Sequence, residues 1–425
     1  MFLYRIITNF NFPFLIVLIF FRKLKNKEHQ KRYKEKIFPS SFKTLEKNNS
    51  KLIWFHAASI GEIKSILPII EKLNKNSSIK FLVTTVTLSS SEFLRYELKK
   101  YKNVIHRFFP LDVNFIIKKF LDSWKPDIVM FVDSEIWPNL IMEIKNRNIP
   151  LAIINARITS KTFNKWKIFP SFAKNIFNNF NLCLTSNHET SKFLKELGAK
   201  NIIYTGNIKI IKSSKFTNTE IKHKKQLIKK KYWCALSTHE NEENFCLDAH
   251  KILKKKLKDI VTVIAPRHID RVYEIEKICQ NFNLSSQIIN RGEKILNAKE
   301  ILIINSFGTI ANYLKDSKSV FIGKSLFKKF RLEGGQSPID AARLGCKIYH
   351  GKYIYNFKEI YRLLLKNRIS RQVSSSSQLA SYLLKDFNTA KTKNKKFLIL
   401  MKKMDNEILN KTMFNLKKLI KNEII

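Results

Sequence analysis

The chain has 425 residues, too many for one compact α/β unit and enough for two domains of roughly 180–200 residues each. A hydrophobic share of 44% with 33 Phe excludes a wholly disordered chain, and ten Gly with ten Pro exclude collagen-like and Pro-rich architectures. The net charge of +45 leaves two anionic partners open on charge alone, nucleic acid and a membrane surface.

The first 21 residues, MFLYRIITNFNFPFLIVLIFF, are mostly apolar, with Arg5 the only charge. The stretch from Ile6 to Phe21 is 16 residues long and is interrupted by Asn9, Asn11 and Pro13, short of the ~20 needed to cross hydrocarbon. No small-residue cleavage site follows it. A basic run, Arg22 to Lys36, comes next. An apolar segment followed by Lys and Arg predicts an anchor over residues 1–36 that lies in the cytoplasmic face of a membrane, its cations meeting anionic headgroups. A buried N-terminal core helix and a single span are the competing readings.

From Lys51 strands and helices alternate. LIWFHA (52–57), KFLVTTV (80–86), DIVMFVDS (127–134) and LAIINA (151–156) read as strands, with a helix over 63–73 after the first. After Gly206 the rhythm restarts with WCALST (233–238), VTVIAP (261–266), ILIINS (301–306), SVFIG (319–323) and CKIYHG (346–351). This predicts two α/β domains with doubly wound parallel sheets, residues 37–211 and 232–385, joined by a Lys-rich linker at 212–231. Residues 386–425 read as amphipathic helices. Five Cys without a C-x-x-C pair argue against a disulfide framework or zinc ribbon and for reduced thiols. Two such sheets facing each other would place a cleft at the carboxyl ends of their strands, where open α/β sheets bind ligands.

The chemistry-bearing residues fall at those strand ends. Ser59, Gly61 and Glu62 follow the first strand. Gly61 permits a tight turn, and Glu62 at the helix start suits either a general base or a first-turn carboxylate favoured by the helix dipole. Asp133-Ser134-Glu135-Ile136-Trp137-Pro138-Asn139 follows another strand; it suits binding of a polar acceptor or, equally, local helix capping by Asp133 or Asn139. Arg157 ends a further strand and fits a phosphate or carboxylate as well as a surface ion pair. In the second half, Lys209 lies near the domain crossover. Pro266-Arg267 follows a strand, and Phe307-Gly308-Thr309 opens a helix whose free N–H groups suit phosphate. Gly334-Gly335 leads into Ser337-Pro338-Ile339-Asp340, where a carboxylate could take ribose hydroxyls. No acid cluster has the spacing of a divalent-cation site, so neither metal nor cofactor is expected.

The ordered segments WFHAASIGEI, DSEIWPN, INAR, GNIK, STHENEE, APRH with IDR, and GGQSPIDAARLGCKIYHG resemble the 3-deoxy-D-manno-octulosonic acid (Kdo) transferases, from the N-terminal anchor to about Phe357. The resemblance implies a GT-B glycosyltransferase fold. It also implies transfer of Kdo from CMP-Kdo to the lipid A precursor at the cytoplasmic face of the inner membrane of Gram-negative bacteria. Residue by residue, it makes Glu62 the general base and gives Glu135 and Lys209 transition-state roles. CMP contacts fall on Pro266, Arg267, Phe307, Gly308, Thr309, Ser337, Pro338, Ile339 and Asp340. Ser59, Gly61, Trp137, Asn139 and Arg157 are the candidates on the acceptor side.

The departures lie in the donor half. The family's Asp-Thr-Met-Gly-Glu is here Asn305-Ser306-Phe307-Gly308-Thr309, and its Gly-Gly-His-Asn turn with the following Glu-Pro is Gly334-Gly335-Gln336-Ser337, then Asp340-Ala341. Residues Leu326 to Glu333 are extra. A diverged glycosyltransferase using another nucleotide sugar is therefore the alternative within the class. A nucleic-acid partner is not expected: Lys outnumbers Arg 64 to 15, and interleaved Arg/aromatic motifs are missing.

Overall fold

The computed structural model describes residues 1–39, 50–75, 78–98, 101–211, 227–306, 308–391 and 394–424. The chain divides into two compact units, Met1–Ser214 with Lys403–Ile425, and Lys215–Lys402. Most of the expected linker, residues 212–226, lies outside the described residues. The last forty residues hold one long helix, Lys395–Ile424.

In the first unit, strands β1 (Lys51–His56), β2 (Ile79–Thr85), β3 (Val104–Phe108), β4 (Ile128–Val132), β5 (Leu151–Ala156), β6 (Leu182–Thr185) and β7 (Ile202–Tyr204) make one sheet. All pairings are parallel, in the order β3-β2-β1-β4-β5-β6-β7. The second unit repeats the plan with β8 (Lys231–Thr238), β9 (Ile260–Pro266), β10 (Ser286–Ile289), β11 (Ile301–Ile304), β12 (Ser319–Ile322), β13 (Lys347–His350) and β14 (Ser370–Gln372). Its order is β10-β11-β9-β8-β12-β13-β14, again all parallel. Every expected strand is present. The five that sequence patterning misses are β3, β6, β7, β10 and β14, all at or next to a sheet edge. Edge strands need no continuous apolar run: β7 is half-buried throughout, and β14 buries only its first residue.

Central strands, covered on both faces, read as unbroken apolar runs. IVMFV of β4 and LAIINA of β5 are buried at every position. One core gathers Trp54, Phe120, Trp124, Phe131 and Phe177, and the other gathers Trp233, Cys246, Phe321 and Leu379. All five cysteines are buried and unpaired.

Strand order reverses between β1 and β4 and between β8 and β12, so the chain leaves those neighbours in opposite directions and opens a crevice at their ends. In the second unit a carboxylate closes that gap. Glu242, fully buried at the start of helix Glu242–Lys254, accepts from His239 N (3.0 Å), Lys324 N (2.6 Å), Ser325 N (2.9 Å) and Leu326 N (3.1 Å). Gly323 makes the approach possible, because a Cβ there would lie 2.6 Å from Glu242 Oε2. The next residue, Glu243, is also buried and takes both guanidinium nitrogens of Arg271.

Helices Phe2–Phe10 and Phe12–Leu24 meet at a bend of 49°. No single described helix is long and apolar enough to cross a membrane; this bent pair passes only when its halves are taken together. The first helix is polar toward the protein. Tyr4 Oη donates to Asp112 (3.0 Å), Arg5 to Glu143 (2.9 Å), and Thr8 Oγ1 accepts from Asn139 (3.1 Å). Phe2, Leu3, Ile6, Ile7 and Phe10 point out, with Phe10 84% exposed, and of the second helix only Ile19 is buried. A buried core helix is thereby ruled out. Part of the basic flank is spent inside the fold: buried Glu28 takes Arg22 and the buried Lys36, and Arg32 is held by Glu35.

Glu242→Ala strips four backbone N–H groups, one buried and three half-buried, of their acceptor, a buried one costing about 1–3 kcal/mol when left unpaired. Chemical denaturation followed by tryptophan fluorescence is expected to show the second unit, which contains Trp233, unfolding well before the first.

Candidate active site

The strand-end residues of the first unit converge. After β1, Ser59 caps helix Ile60–Leu73: its Oγ accepts from Glu62 N (3.4 Å) and donates to Glu62 Oε1 (2.7 Å). Glu62 Oε2 accepts from Ala58 N (2.7 Å). The arrangement resembles a capping box, with the Glu62 side chain reaching past the N-cap to Ala58 N, and it leaves Glu62 only 8% exposed. Gly61 has a different reason from the expected tight turn. It sits in the first helical turn, and a Cβ there would meet nothing closer than Ser59 Oγ at 3.9 Å, so the glycine keeps the space before the helix open.

Two residues at the ends of β4 and β5 adopt left-handed backbone, Asp133 just after β4 at φ 67° and Asn155, the last but one residue of β5, at φ 56°. Asn155 Oδ1 accepts from Ile208 N (2.9 Å) and Asn207 Oδ1 from Lys209 N (3.0 Å), which pins the short 3-10 turn Ile208–Ile210 to the sheet. The turn delivers Lys209 Nζ to the Asp133 carboxylate, a mostly buried ion pair. Glu135 Oε2 accepts from Trp137 Nε1 (2.9 Å) and lies 3.2 Å from His56 Nε2. A carboxylate has no hydrogen to give, so Nε2 donates. The fully buried imidazole is fixed by Thr84 Oγ1 at Nδ1 (3.0 Å) and by the Phe109 ring stacked at 3.8 Å.

This environment drives the two carboxyls apart. Burial pushes Glu62 up to about 7, with Asp133 and Glu135 adding to the rise and Lys209 and Ser59 opposing it. At Glu135 burial also raises the pKa, but the hydrogen bonds and charges of His56, Trp137 and Lys209 outweigh it and hold the group below its ordinary value. One acid thus trades protons near neutrality beside another that stays ionised, the separation expected where a site assigns distinct acid–base roles.

The other first-unit candidates divide. Trp137 belongs to the cluster through its indole. Asn139 is fully buried and donates to Asp112 O (2.6 Å) and Thr8, a fold contact out of a ligand's reach. The capping reading of this loop is also corrected: Asp112 caps helix Pro138–Asn146 by accepting from Asn139 N (3.1 Å) and Leu140 N (2.9 Å). Arg157 joins Asp133 through its backbone, N to O at 3.1 Å. Sequence reasoning left His56, Asp133 and Asn155 out of the site although their segments drew notice. Polar residues ending all-apolar strands were the available signal.

In the second unit, Pro266 closes β9, and exposed Arg267 makes no ion pair among the described residues. Phe307 lies outside the described residues. Gly308 has φ 82° with open space where a Cβ would stand, and Thr309 is buried against Ser306 Oγ at 2.8 Å. The helix it opens, Ile310–Leu314, is only one turn and a half. Of the four residues after the glycine turn, Ser337 and Asp340 are exposed, whereas Pro338 and Ile339 are buried and support the turn by packing. The extra segment folds as a turn around Lys328–Phe330, with Phe330 buried against His239 (5.3 Å).

Residues 30–211 match the family model described as 3-Deoxy-D-manno-octulosonic-acid transferase (kdotransferase). The 3-deoxy-D-manno-octulosonic acid transferase of Rickettsia bellii is 31% identical over 92% of this chain and 93% of its own length. The transferase of the same name from Rickettsia felis is 32% identical over 80% of this chain and 73% of its own. Among solved structures, the UDP-GlcNAc 2-epimerase of Neisseria meningitidis bound to UDP-GlcNAc shares the fold, with TM-score 0.56 and 14% identity over 88% of this chain and all of that one.

Lys209→Met leaves the Asp133 carboxylate buried without its cation and is expected to cost roughly 3–5 kcal/mol. Adding Asp133→Asn removes the stranded charge and recovers most of that loss, as a double-mutant cycle by urea unfolding would measure.

Proposed function

Because the chain belongs to the Kdo transferases, we propose that it moves Kdo from CMP-Kdo to a hydroxyl of the lipid A precursor, with Glu62 as general base. The observation that carries this reading is the buried Glu62 carboxyl, poised near neutrality beside the ionised Glu135. Glu62 takes the hydroxyl proton, the freed oxygen bonds to the anomeric carbon of Kdo, and the bond from that carbon to CMP breaks on the opposite face. The configuration inverts, and the electron pair leaves on the CMP phosphate. A carboxylate offers about four acceptor directions. Ala58 N and Ser59 Oγ occupy two, so the cap orients the base without saturating it.

Lys209 is already paired with Asp133, so its part is to set the field at Glu62, lowering a pKa that burial alone would push higher. The second unit would hold the donor. Arg267, without an ion pair among the described residues, suits the departing phosphate, and exposed Ser337 and Asp340 suit the nucleoside hydroxyls. The N-terminal helix pair supports a seat on the inner membrane's cytoplasmic face, because its apolar side is turned outward and would otherwise meet water.

Glu62→Gln is expected to lower kcat by about 100- to 10,000-fold, roughly 3–5 kcal/mol of barrier. Mass analysis of the lipid after incubation with CMP-Kdo measures this, and turnover within a few-fold of the parent would remove Glu62 from the role. In the parent, kcat/KM should rise about tenfold per pH unit up to about 7 and level above it, because only the ionised carboxyl accepts a proton. Stability runs the other way: the raised folded-state pKa supports folding below 4.5 and loses that support as pH climbs through about 7. Glu62→Gln should therefore melt higher than the parent at alkaline pH and not at acidic pH. Separately, washing isolated membranes in high salt should leave the protein attached, since apolar burial is not screened.

A further inference from the structure

We propose that the turn joining helices Ser160–Lys167 and Pro170–Phe177 is a second membrane-contact element, placing Ile168 and Phe169 among the headgroups of an anionic bilayer. The proposal rests on the reading that the N-terminal helices lie in such a surface. Ile168 and Phe169 are each 67% exposed and adjacent, at the tip of a helical hairpin. Phe169 is the N-cap of its helix and makes no capping bond, at a position where Ser, Thr, Asp or Asn would satisfy the free N–H groups.

The tip is held rigidly. Phe169 N donates to Trp166 O (3.2 Å), Ala173 N to Phe169 O (2.9 Å), and Pro170 sets the first helical position. Its surroundings are cationic: Lys161, Lys165, Lys167 and Lys174 are exposed, and the sequence has no acid between Glu143 and Glu189. Lys167 lies 3.7 Å from Glu196, but both side chains are more than half exposed, which makes that pair weak. Beneath the tip, Trp166 stacks on Phe172 (5.9 Å, 20°), and the Phe172 ring lies 6.0 Å from Tyr4 of the first helix. The hairpin is therefore continuous with the outward apolar helix Phe2–Phe10. Apolar tip, aromatic support and exposed lysines, one of them weakly paired with Glu196, match the order in which a bilayer presents its acyl boundary, interface and anionic headgroups.

Full-length protein and an Ile168→Ser/Phe169→Ser variant would be compared by cosedimentation with vesicles of phosphatidylcholine and phosphatidylglycerol, after matched thermal melts. The variant is expected to bind at least about tenfold more weakly while turning over detergent-dispersed acceptor at the parent's rate. A second variant, with Lys161, Lys165, Lys167 and Lys174 changed to Gln, should lose the preference for these vesicles over pure phosphatidylcholine. Unchanged vesicle affinity in the first variant overturns the proposal while leaving the N-terminal reading intact. Unchanged affinity with a raised KM for the acceptor also overturns it, by assigning the tip to the acceptor's acyl chains. A parent protein that binds neither vesicle overturns both readings.

Discussion

Taking a carboxyl out of water at the head of a helix is the constraint around which the first unit is arranged. Burial alone would keep Glu62 protonated, so a base there needs compensation tuned to stop near neutrality. The cap from Ser59 and Ala58 supplies part, and the Lys209 cation supplies part. Asp133 then spends most of that cation, while Glu135, tied to His56 and Trp137, adds a fixed negative charge. These groups stand at or just after the ends of two neighbouring strands, β1 and β4, or in the turn from Ile208 to Ile210. The parallel sheet, through its order of strands, brings them together.

The two sheets use a glutamate at the same place for opposite ends. Glu62 follows the first strand of its sheet and Glu242 the first strand of the other, both at a helix start beside the point where strand order reverses. Glu242 accepts four backbone N–H groups and has nothing left to offer a substrate. Glu62 accepts from two local donors and keeps room, helped by a glycine that leaves the approach clear. Hydrogen-bond saturation, more than burial or charge, separates the carboxylate that closes a loop from the one that can take a proton.

The N-terminal helix inverts the usual pattern. Its polar side chains Tyr4, Arg5 and Thr8 face the protein and its Phe and Leu face away, leaving a run of apolar side chains exposed on that face. The partners of those polar groups, Asp112, Glu143 and Asn139, lie on the helix that follows the Glu135–Trp137 loop or cap it. The outward-facing segment is thus fastened by hydrogen bonds to an element of the candidate site. The basic run after it divides: Arg22, Arg32 and Lys36 are consumed by Glu28 and Glu35, so the formal charge overstates what the surface presents.

The alternation of apolar runs with helical segments was enough to establish two parallel α/β sheets, because strands covered on both faces must be apolar at every position. It missed β3, β7, β10 and β14, edge strands on which that demand is relaxed, and β6 beside an edge. Ordered motifs marked Glu62, Glu135 and Lys209, since special residue types collect where strands end. What each side chain does there was decided by tertiary structure. No spacing reveals that Lys209 meets Asp133 across 76 residues, that Asn139 is spent on Asp112, or that Pro338 and Ile339 are packed away. Pattern in the chain reports which face of an element is dry. The partner that satisfies a buried charge is a neighbour in space, and only the assembled sheet chooses it.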